Sequence, residues 1–226
     1  MKVIYEDNHI IVVEKMCNIP SQADKTGDVD MLSIVKDYIK EKYNKPGNVY
    51  LGLVHRLDRP VGGVMVFAKT SKAASRLSEE VRNKTFQKHY LVIVNGKMEK
   101  EKGTLEDYLW KDEKSNTSYV VKKTKKNAKK AILDYDVLYY DERENLSILK
   151  IDLHTGRHHQ IRVQLSSRMH AIYGDAKYHG RGKGTQICLW AYELTIVHPI
   201  TKEQITFKDL PEEKGMWKLL GMIKIN

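Results

Sequence analysis

The stretch His55-Arg56-Leu57-Asp58-Arg59-Pro60-Val61-Gly62-Gly63, followed directly by the apolar run Val64–Ala68, decides how this sequence is interpreted. Alternation along an extended strand places Arg56 and Asp58 on the same side, two residues apart. The proline and glycines that follow, Pro60, Gly62 and Gly63, predict a turn, which would hold the Asp58 carboxylate at a strand end. Because burying a carboxylate between apolar strands is costly, this position indicates a chemical role for Asp58.

A second informative segment is His154-Thr155-Gly156-Arg157-His158-His159-Gln160-Ile161-Arg162. A carboxylate that acts as a nucleophile must stay ionised. An arginine secures this state because its guanidinium does not lose its proton. Two arginines are candidates for that partner: Arg56, on the same predicted strand face, and Arg162, from the distant segment. Gly156 predicts a sharp turn into a helix that carries Arg162.

The two segments resemble the two signature motifs of the RluA-type pseudouridine synthases. Those enzymes carry His-Arg-Leu-Asp, a short turn with Gly and a strand ending in Ala-Lys-Thr, and later Thr-Gly-Arg-x-His-Gln-Ile/Leu-Arg. This chain has His55–Asp58, Ala68–Thr70 and Thr155–Arg162. It departs from the family in the turn, where Pro60–Gly63 replaces the usual Asp-Thr-Ser-Gly. The resemblance runs from about residue 5 to 208 and implies a short form without an N-terminal RNA-binding module.

The resemblance implies a role for each residue of the site. Asp58 is expected to be the nucleophile and Arg162 its ion-pair partner. Tyr90, in the family's Lys-x-Tyr strand, is expected to stack on the target uracil. The other residues expected to bind substrate lie in the same motifs; they are His55, Arg56, Lys88, Arg157 and Gln160. The implied reaction isomerises a flipped uridine to pseudouridine, with no cofactor and no metal.

Charge and composition agree with an RNA substrate. The formal net charge is +10 and the isoelectric point about 9.3, which favours a polyanionic partner. We expect a stem-loop of ribosomal or transfer RNA, because single-stranded loops are the readable part of RNA. Cys17 and Cys188 form no paired motif, and no stretch predicts a signal peptide or a membrane span. The sequence therefore predicts a cytoplasmic protein that does not bind membranes. Because no heptad repeat or long apolar stripe is left over, it also predicts a monomer.

The pattern of the remaining chain predicts an α+β fold with a mostly antiparallel sheet and flanking helices, arranged as a single two-lobed catalytic domain over residues 1–226. Helices are predicted after Asp30, from Thr70 or Ser71, after Gly156, and over Trp217–Ile223. The Asn95-Gly96 pair predicts a β-hairpin. The predicted strands are His9–Val13, Tyr50–Asp58, Val64–Ala68, Phe86–Val94, Ile132–Tyr140, Leu146–Leu153, Ile187–Val197 and Gln204–Phe207.

Two other functions compete with the enzyme hypothesis. The altered turn at Pro60–Gly63 allows a catalytically silent RNA-binding or ribosome-assembly protein of the same fold. The histidines at positions 154, 158 and 159 allow a metal-dependent RNA hydrolase, but adjacent histidines on a helix point about 100° apart and no HExxH motif occurs. The lysine run Lys122–Lys130 is interpreted either as a solvated sheet edge or as a contact to the RNA backbone.

Overall fold

The computed structural model describes residues Met1–Lys224. The chain divides into two compact units, and we describe each by itself. The first unit contains Met1–Gln87 and Ala191–Leu210, and the second contains Lys88–Trp190 and the segment from Pro211 onward. Among these residues, every helix is too short or too polar to span a lipid bilayer.

The first unit is built on strands in the order β1-β2-β4-β10, with β3 paired to β4 and β11 paired to β10. Its pairs β1–β2, β2–β4, β3–β4 and β10–β11 are antiparallel. The strands are β1 (Val3–Glu6), β2 (Ile10–Lys15), β3 (Gly52–Leu53), β4 (Gly62–Ala68), β10 (Leu189–Val197, in this unit from Ala191) and β11 (Gln204–Lys208). The helices are α1 (Met31–Lys42), capped by Asp30, and α2 (Ser71–Asn83), capped by Thr70.

Both faces of the central strands β2 and β4 are buried in this unit. Ile10 and Val12 of β2 belong to an apolar cluster with Ala73 and Leu77 of α2. The alternate residues of β2 pack with Met31, Val35 and Ile39 of α1 in a second cluster. The sequence of β4 is an unbroken apolar run because a strand that is covered on both faces has no face exposed to solvent.

The second unit contains a five-stranded antiparallel sheet in the order β5-β9-β8-β6-β7. One helix, α3, carries Val163, which packs on Leu109 and Ala131 of the sheet together with Tyr178. The strands are β5 (Gln87–Asn95), β6 (Lys102–Asp112), β7 (Thr117–Val121), β8 (Lys129–Asp141) and β9 (Leu146–Leu153). The helical segments are α3 (Gln160–Ser166) and two 3-10 helices, Ala176–Tyr178 and Gly215–Met222.

The predicted α+β class with a mostly antiparallel sheet is confirmed, but several local predictions are wrong. The expected strand Tyr50–Asp58 is only Gly52–Leu53, and the backbone of Leu57 further along bonds to the Ser21 hydroxyl instead of to a neighbouring strand. The Asn95-Gly96 hairpin does not form: β5 pairs with β9, not with the next strand. The sequence also missed β1, β6 and β7, and the terminal helix is of the 3-10 type.

Candidate active site

Asp58 lies at the start of a β-turn in the first unit. The Val61 amide donates to the Asp58 carbonyl over 2.9 Å, which closes the turn around Arg59 and Pro60. The side chain of Asp58 is half-buried, so the carboxylate is less enclosed than the strand prediction implied. The turn fixes the backbone that carries the carboxylate while leaving that side chain partly open to solvent.

Ser21 fixes the backbone on the N-terminal side of Asp58. Its hydroxyl donates to the Leu57 carbonyl over 2.8 Å and accepts from the Leu57 amide over 3.1 Å. Both residues are buried. A single side chain therefore satisfies both backbone groups of the residue next to Asp58, in place of a partner strand.

Lys15 fixes the backbone on the other side of Asp58. It ends β2 and is fully buried, and its ammonium donates to the carbonyls of Met16, Arg59 and Val61 over 3.1, 3.0 and 2.7 Å. Burial lowers the pKa of Lys15 to about 8, while the Asp58 carboxylate favours its charged form. Lys15 therefore ties the strand end to the turn and places a buried cation in the field of Asp58.

A glycine lets the strand that follows the turn pass close to its neighbour. Gly63 opposes Lys15 in the β2–β4 register and has a φ of +125°. A Cβ atom there would lie 2.2 Å from the Ala191 carbonyl oxygen. Neither the conformation nor the space suits another residue, so Gly63 is a requirement of the backbone at the start of β4.

The remaining motif residues of the first unit have distinct surroundings. The His55 ring accepts the Val66 amide through Nε2 over 3.1 Å and lies 5.0 Å from the Phe86 ring, so it supports β4. Arg56 is exposed. Arg59, beyond the nucleophile position, bonds to Asp28 and to the Thr26 hydroxyl.

In the second unit, the motif around Thr155 and Gln160 forms a network of side-chain hydrogen bonds just before α3. The side-chain oxygen Oε1 of Gln160 accepts from the Thr155 hydroxyl (2.7 Å) and from the Arg157 backbone amide (3.1 Å). The side-chain nitrogen Nε2 of Gln160 donates to the Ile132 carbonyl (3.0 Å). The left-handed residue at the helix start is His159, with a φ of 52°, not Gly156 as predicted. Gly156 instead lies beside Lys88, whose amine would be 3.5 Å from a Cβ at that position.

Helix α3 carries Arg162, which is held by a buried carboxylate. Its Nε and Nη2 atoms donate to the two carboxylate oxygens of Asp175, both over 2.8 Å. The exposed fractions are 5% for Arg162 and 2% for Asp175. The guanidinium also lies 5.1 Å from the centre of the Tyr178 ring. This bidentate pairing fixes the orientation of the guanidinium and stabilises its positive charge.

A neutral polar network supports this arginine. The Tyr178 hydroxyl accepts from the Ser118 amide and bonds to Nδ1 of His159, both over 2.8 Å. Burial, together with the cation of Arg162, lowers the pKa of His159 to about 2. His159 is therefore uncharged at physiological pH and adds no second positive charge beside the arginine.

The other predicted substrate residues of the second unit lie on β5 and before α3. Tyr90 is buried in β5, opposite Ile151 of β9. Lys88, two residues earlier on the same face of that strand, is half-buried, and burial lowers its pKa. Arg157 is exposed, and its Nε donates to the Lys130 carbonyl over 2.8 Å.

The predicted residues thus fall into two groups. The first unit brings His55, Arg56 and Asp58 together, and the second contains Lys88, Tyr90, Arg157, Gln160 and Arg162. Sequence reasoning gave no role at the site to the supporting residues Lys15, Ser21, Asp175 and Tyr178, although three of them lie in segments that resemble the family. For Lys15 the sequence did contain one indication of a special role, because a charged residue ends an apolar run there. Nothing local to Ser21 or Tyr178 marks the partners that the fold gives them.

One group of residues has the composition of a metal site. Asp134, Asp152 and His154 of the second unit offer ligand atoms within 4.8 Å of one another. His154 Nε2 bonds to Asp134 over 2.7 Å, and the Thr104 hydroxyl donates to the other oxygen of that carboxylate over 2.6 Å. Hydrogen bonds within the protein account for this partly exposed group, and we assign no metal to it.

We expect Asp175→Asn to destabilise the protein by about 3 kcal/mol, because one partner of a buried ion pair is lost while the Arg162 charge stays buried. The free energy of unfolding from urea denaturation measures this effect. Asp136→Asn is the matched control, since Asp136 pairs with the exposed Lys102. Loss of such a surface pair is expected to change stability by less than about 1 kcal/mol. Equal effects of the two substitutions would contradict the assigned role of Asp175.

Known proteins resemble this chain over most of its length. Residues 9–167 match the family model described as RNA pseudouridylate synthase. The chain is 31% identical over 207 residues to the uncharacterized RNA pseudouridine synthase YhcT of Bacillus subtilis, covering 91% of this chain and 67% of that protein. It is 31% identical over 217 residues to the dual-specificity RNA pseudouridine synthase RluA of Haemophilus influenzae, covering 92% and 91%.

A solved structure has the same fold. Human RNA pseudouridylate synthase domain containing 4 superposes with a TM-score of 0.76 and covers 93% of this chain and 89% of its own. Its sequence identity to this chain is 21%, so the likeness concerns the fold. The α+β architecture described above is therefore one that pseudouridylate synthase domains adopt.

Proposed function

Because this chain belongs to the RNA pseudouridylate synthase family, and is thus an isomerase that converts uridine in RNA to pseudouridine, we propose that Asp58 is its nucleophile. We further propose that its substrate is a stem-loop of ribosomal or transfer RNA, bound without a metal. The net charge of +10 supports a polyanionic substrate. We propose that the protein works as a monomer in the cytoplasm.

The observation that carries this assignment is the support around Asp58. Ser21 holds the preceding residue, and Lys15 holds the carbonyls of Arg59 and Val61. A nucleophile benefits from such fixation, since small displacements of a reacting group are costly to the rate. A carboxylate that merely capped the turn would need neither the buried ammonium nor an open side chain.

The proposed reaction moves one bond of the nucleotide. The target uridine leaves its stack, which costs a few kcal/mol, and Arg56 fills the vacated space. With Asp58 acting on the nucleoside, the bond from uracil N1 to the ribose C1′ breaks, the base rotates, and C5 bonds to C1′. The proton on C5 leaves to solvent, and N1 gains a proton, so the product is an isomer of the substrate.

For Tyr90 and Arg162 we propose the roles that the family resemblance implies. Tyr90 stacks on the uracil, as the family's Lys-x-Tyr strand implies, and takes part in removing the C5 proton. Arg162 keeps Asp58 ionised by pairing with it. The bidentate bond of Arg162 to Asp175 supports a positioning role for Asp175, because it uses one edge of the guanidinium and sets its direction.

Release of tritium from RNA labelled at uracil C5 tests the proposal, since C5 loses its hydrogen only when it bonds to C1′. The purified chain is incubated with labelled ribosomal or transfer RNA taken from cells that lack it. We expect release to a fixed number of equivalents per RNA, unchanged by a chelator. An absence of release from both RNA classes would contradict the proposed substrate, and loss of activity on chelation would contradict the metal-free reaction.

A further inference from the structure

The second unit carries a surface of lysines and aromatic rings that the proposed reaction does not use. We call it the basic–aromatic surface. It lies on β6, β7, the β7–β8 connection and the start of β8 and consists of Tyr108, Trp110, Tyr119, Lys122, Lys123, Lys125, Lys126 and Lys130. All five lysines are exposed. No Asp or Glu occurs in the sequence between Glu113 and Asp134, so no acidic residue within this stretch offsets its positive charge.

The aromatic side chains of this surface share one face of the sheet. Trp110 of β6 lies opposite Tyr119 of β7, and their rings stack with centres 6.4 Å apart at an angle of 29°. Tyr108 is two residues from Trp110 on the same strand, and strand alternation therefore gives it the same side. Tyr119 has an exposed fraction of 47%, so a ring face is available to a ligand.

This face of the sheet is the one that points away from α3. Leu109, between Tyr108 and Trp110, packs with Val163 of α3 on the opposite side. Since neighbouring residues of a strand face opposite sides, the aromatic rings lie on the side without that helix. The aromatic rings are thus on the opposite face of the sheet from α3, the helix that carries Arg162.

The lysines of this surface have few acidic partners. Lys130 bonds to Glu106. Within Met1–Lys224, no carboxylate lies at ion-pair distance from the other four lysines. Elsewhere in the unit Lys102 pairs with Asp136 and Lys111 with Glu113. Charges without such counter-ions attract phosphate groups more strongly.

Aromatic rings hold two of these lysines in place. The Lys125 ammonium lies 4.8 Å from the centre of the Trp110 ring, and that of Lys123 lies 5.9 Å from the Tyr108 ring. Two successive turns shape the connection, with the amide of Lys125 donating to Lys122 and that of Ala128 to Lys125, both over 3.0 Å. The lysine run is therefore folded back on the sheet instead of trailing into solvent.

We propose that the basic–aromatic surface is a docking site for RNA, where the lysines bind backbone phosphates and the Trp110–Tyr119 pair stacks on an unpaired base. The inference rests on the proposed function, because the docked RNA is the substrate of the isomerase. Exposed cations with interleaved rings suit single-stranded or looped RNA, since phosphate contacts give affinity and stacking tolerates any base. The surface uses none of the residues assigned to the reaction, so it acts on binding and not on the reaction step.

The test compares two fourfold Lys→Gln variants of the full chain. One alters Lys122, Lys123, Lys125 and Lys126, and the control alters four exposed lysines elsewhere, Lys40, Lys45, Lys72 and Lys218. Binding of a labelled RNA stem-loop with a uridine-containing loop is measured over a range of salt concentrations. We expect the first variant to bind at least about tenfold more weakly, with a slope of log K against log salt shallower by about 2–3. Its kcat at saturating RNA is expected to equal that of the native chain.

Tryptophan fluorescence gives a second readout at the site. Trp110 is partly exposed, while Trp190 and Trp217 are buried. RNA is expected to quench the native emission, and Trp110→Phe is expected to remove that quenching. Equal salt slopes for the native chain and the first variant, or equal losses in both fourfold variants, would overturn the docking site. Binding with these properties but without tritium release from any RNA would instead overturn the proposed function and leave the RNA surface standing.

Discussion

Asp58→Asn is expected to lower the rate of pseudouridine formation by at least about 10⁴-fold, since loss of a nucleophile removes the reaction path. The amide has the size of the carboxylate and keeps the same backbone turn, so the fold and RNA binding are expected to persist. Tritium release under single-turnover conditions measures the rate, and fluorescence anisotropy measures the affinity. Asp37→Asn, at an exposed position of α1, is the matched control.

Asp58→Ala separates nucleophilic catalysis from a merely structural effect. If Asp58 only shaped the turn, the conservative Asn variant would remain active and the Ala variant would lose stability. We expect both variants to be inactive and to unfold at nearly the native urea concentration. Measurable isomerisation by Asp58→Ala would exclude Asp58 as the nucleophile. Full RNA binding and full cellular function of both variants would favour an assembly protein over an enzyme.

Lys15→Met is expected to reduce kcat by at least about 10²-fold, because misplacing a reacting group by about 1 Å has an effect of this size. The methionine fills the buried space, but the carbonyls of Met16, Arg59 and Val61 lose their common donor. The turn that carries Asp58 then lacks the hydrogen bonds from Lys15, and the Asp58 carboxylate loses the neighbouring positive charge. Single-turnover rates of the native and variant chains give the comparison.

The pH profile distinguishes positioning by Lys15 from general support of the fold. The pKa of Lys15 is about 8, so the ammonium is intact below that pH and is lost as the pH rises through it. The native rate is therefore expected to fall above about pH 8. Lys15→Met is expected to lack this descending limb, whereas Lys40→Met, at an exposed position, keeps both rate and limb. An unchanged limb in Lys15→Met would refute the positioning role.

The sequence predicted the strongly patterned elements and the family motifs. Apolar periodicity and the caps Asp30 and Thr70 identified α1 and α2, and the alternation over 132–153 identified the β8–β9 pair. The two motifs assigned the family and with it the architecture. These features depend on short-range patterns or on long shared motifs, which a single sequence retains.

The sequence did not predict features that depend on distant partners. Asn95-Gly96 has the local chemistry of a hairpin, but the buried strand β5 pairs with β9 through seven successive residues, and that pairing prevails. The environment of Lys15 depends on carbonyls 44 and 46 residues away. The partner of Arg162 in its own unit, Asp175, follows the helix and has no motif spacing that marks it. Such contacts are consequences of the fold and not of local sequence.

The measurement that tests the central claim most directly is a carbodiimide-based map of pseudouridine in total RNA. Cells that lack this chain are compared with the same cells supplied with the native chain or with Asp58→Ala. We expect at least one pseudouridine to disappear without the chain, to return with the native chain, and to remain absent with the variant. Return of that site with Asp58→Ala, or persistence of every pseudouridine without the chain and without a redundant enzyme, would contradict the account.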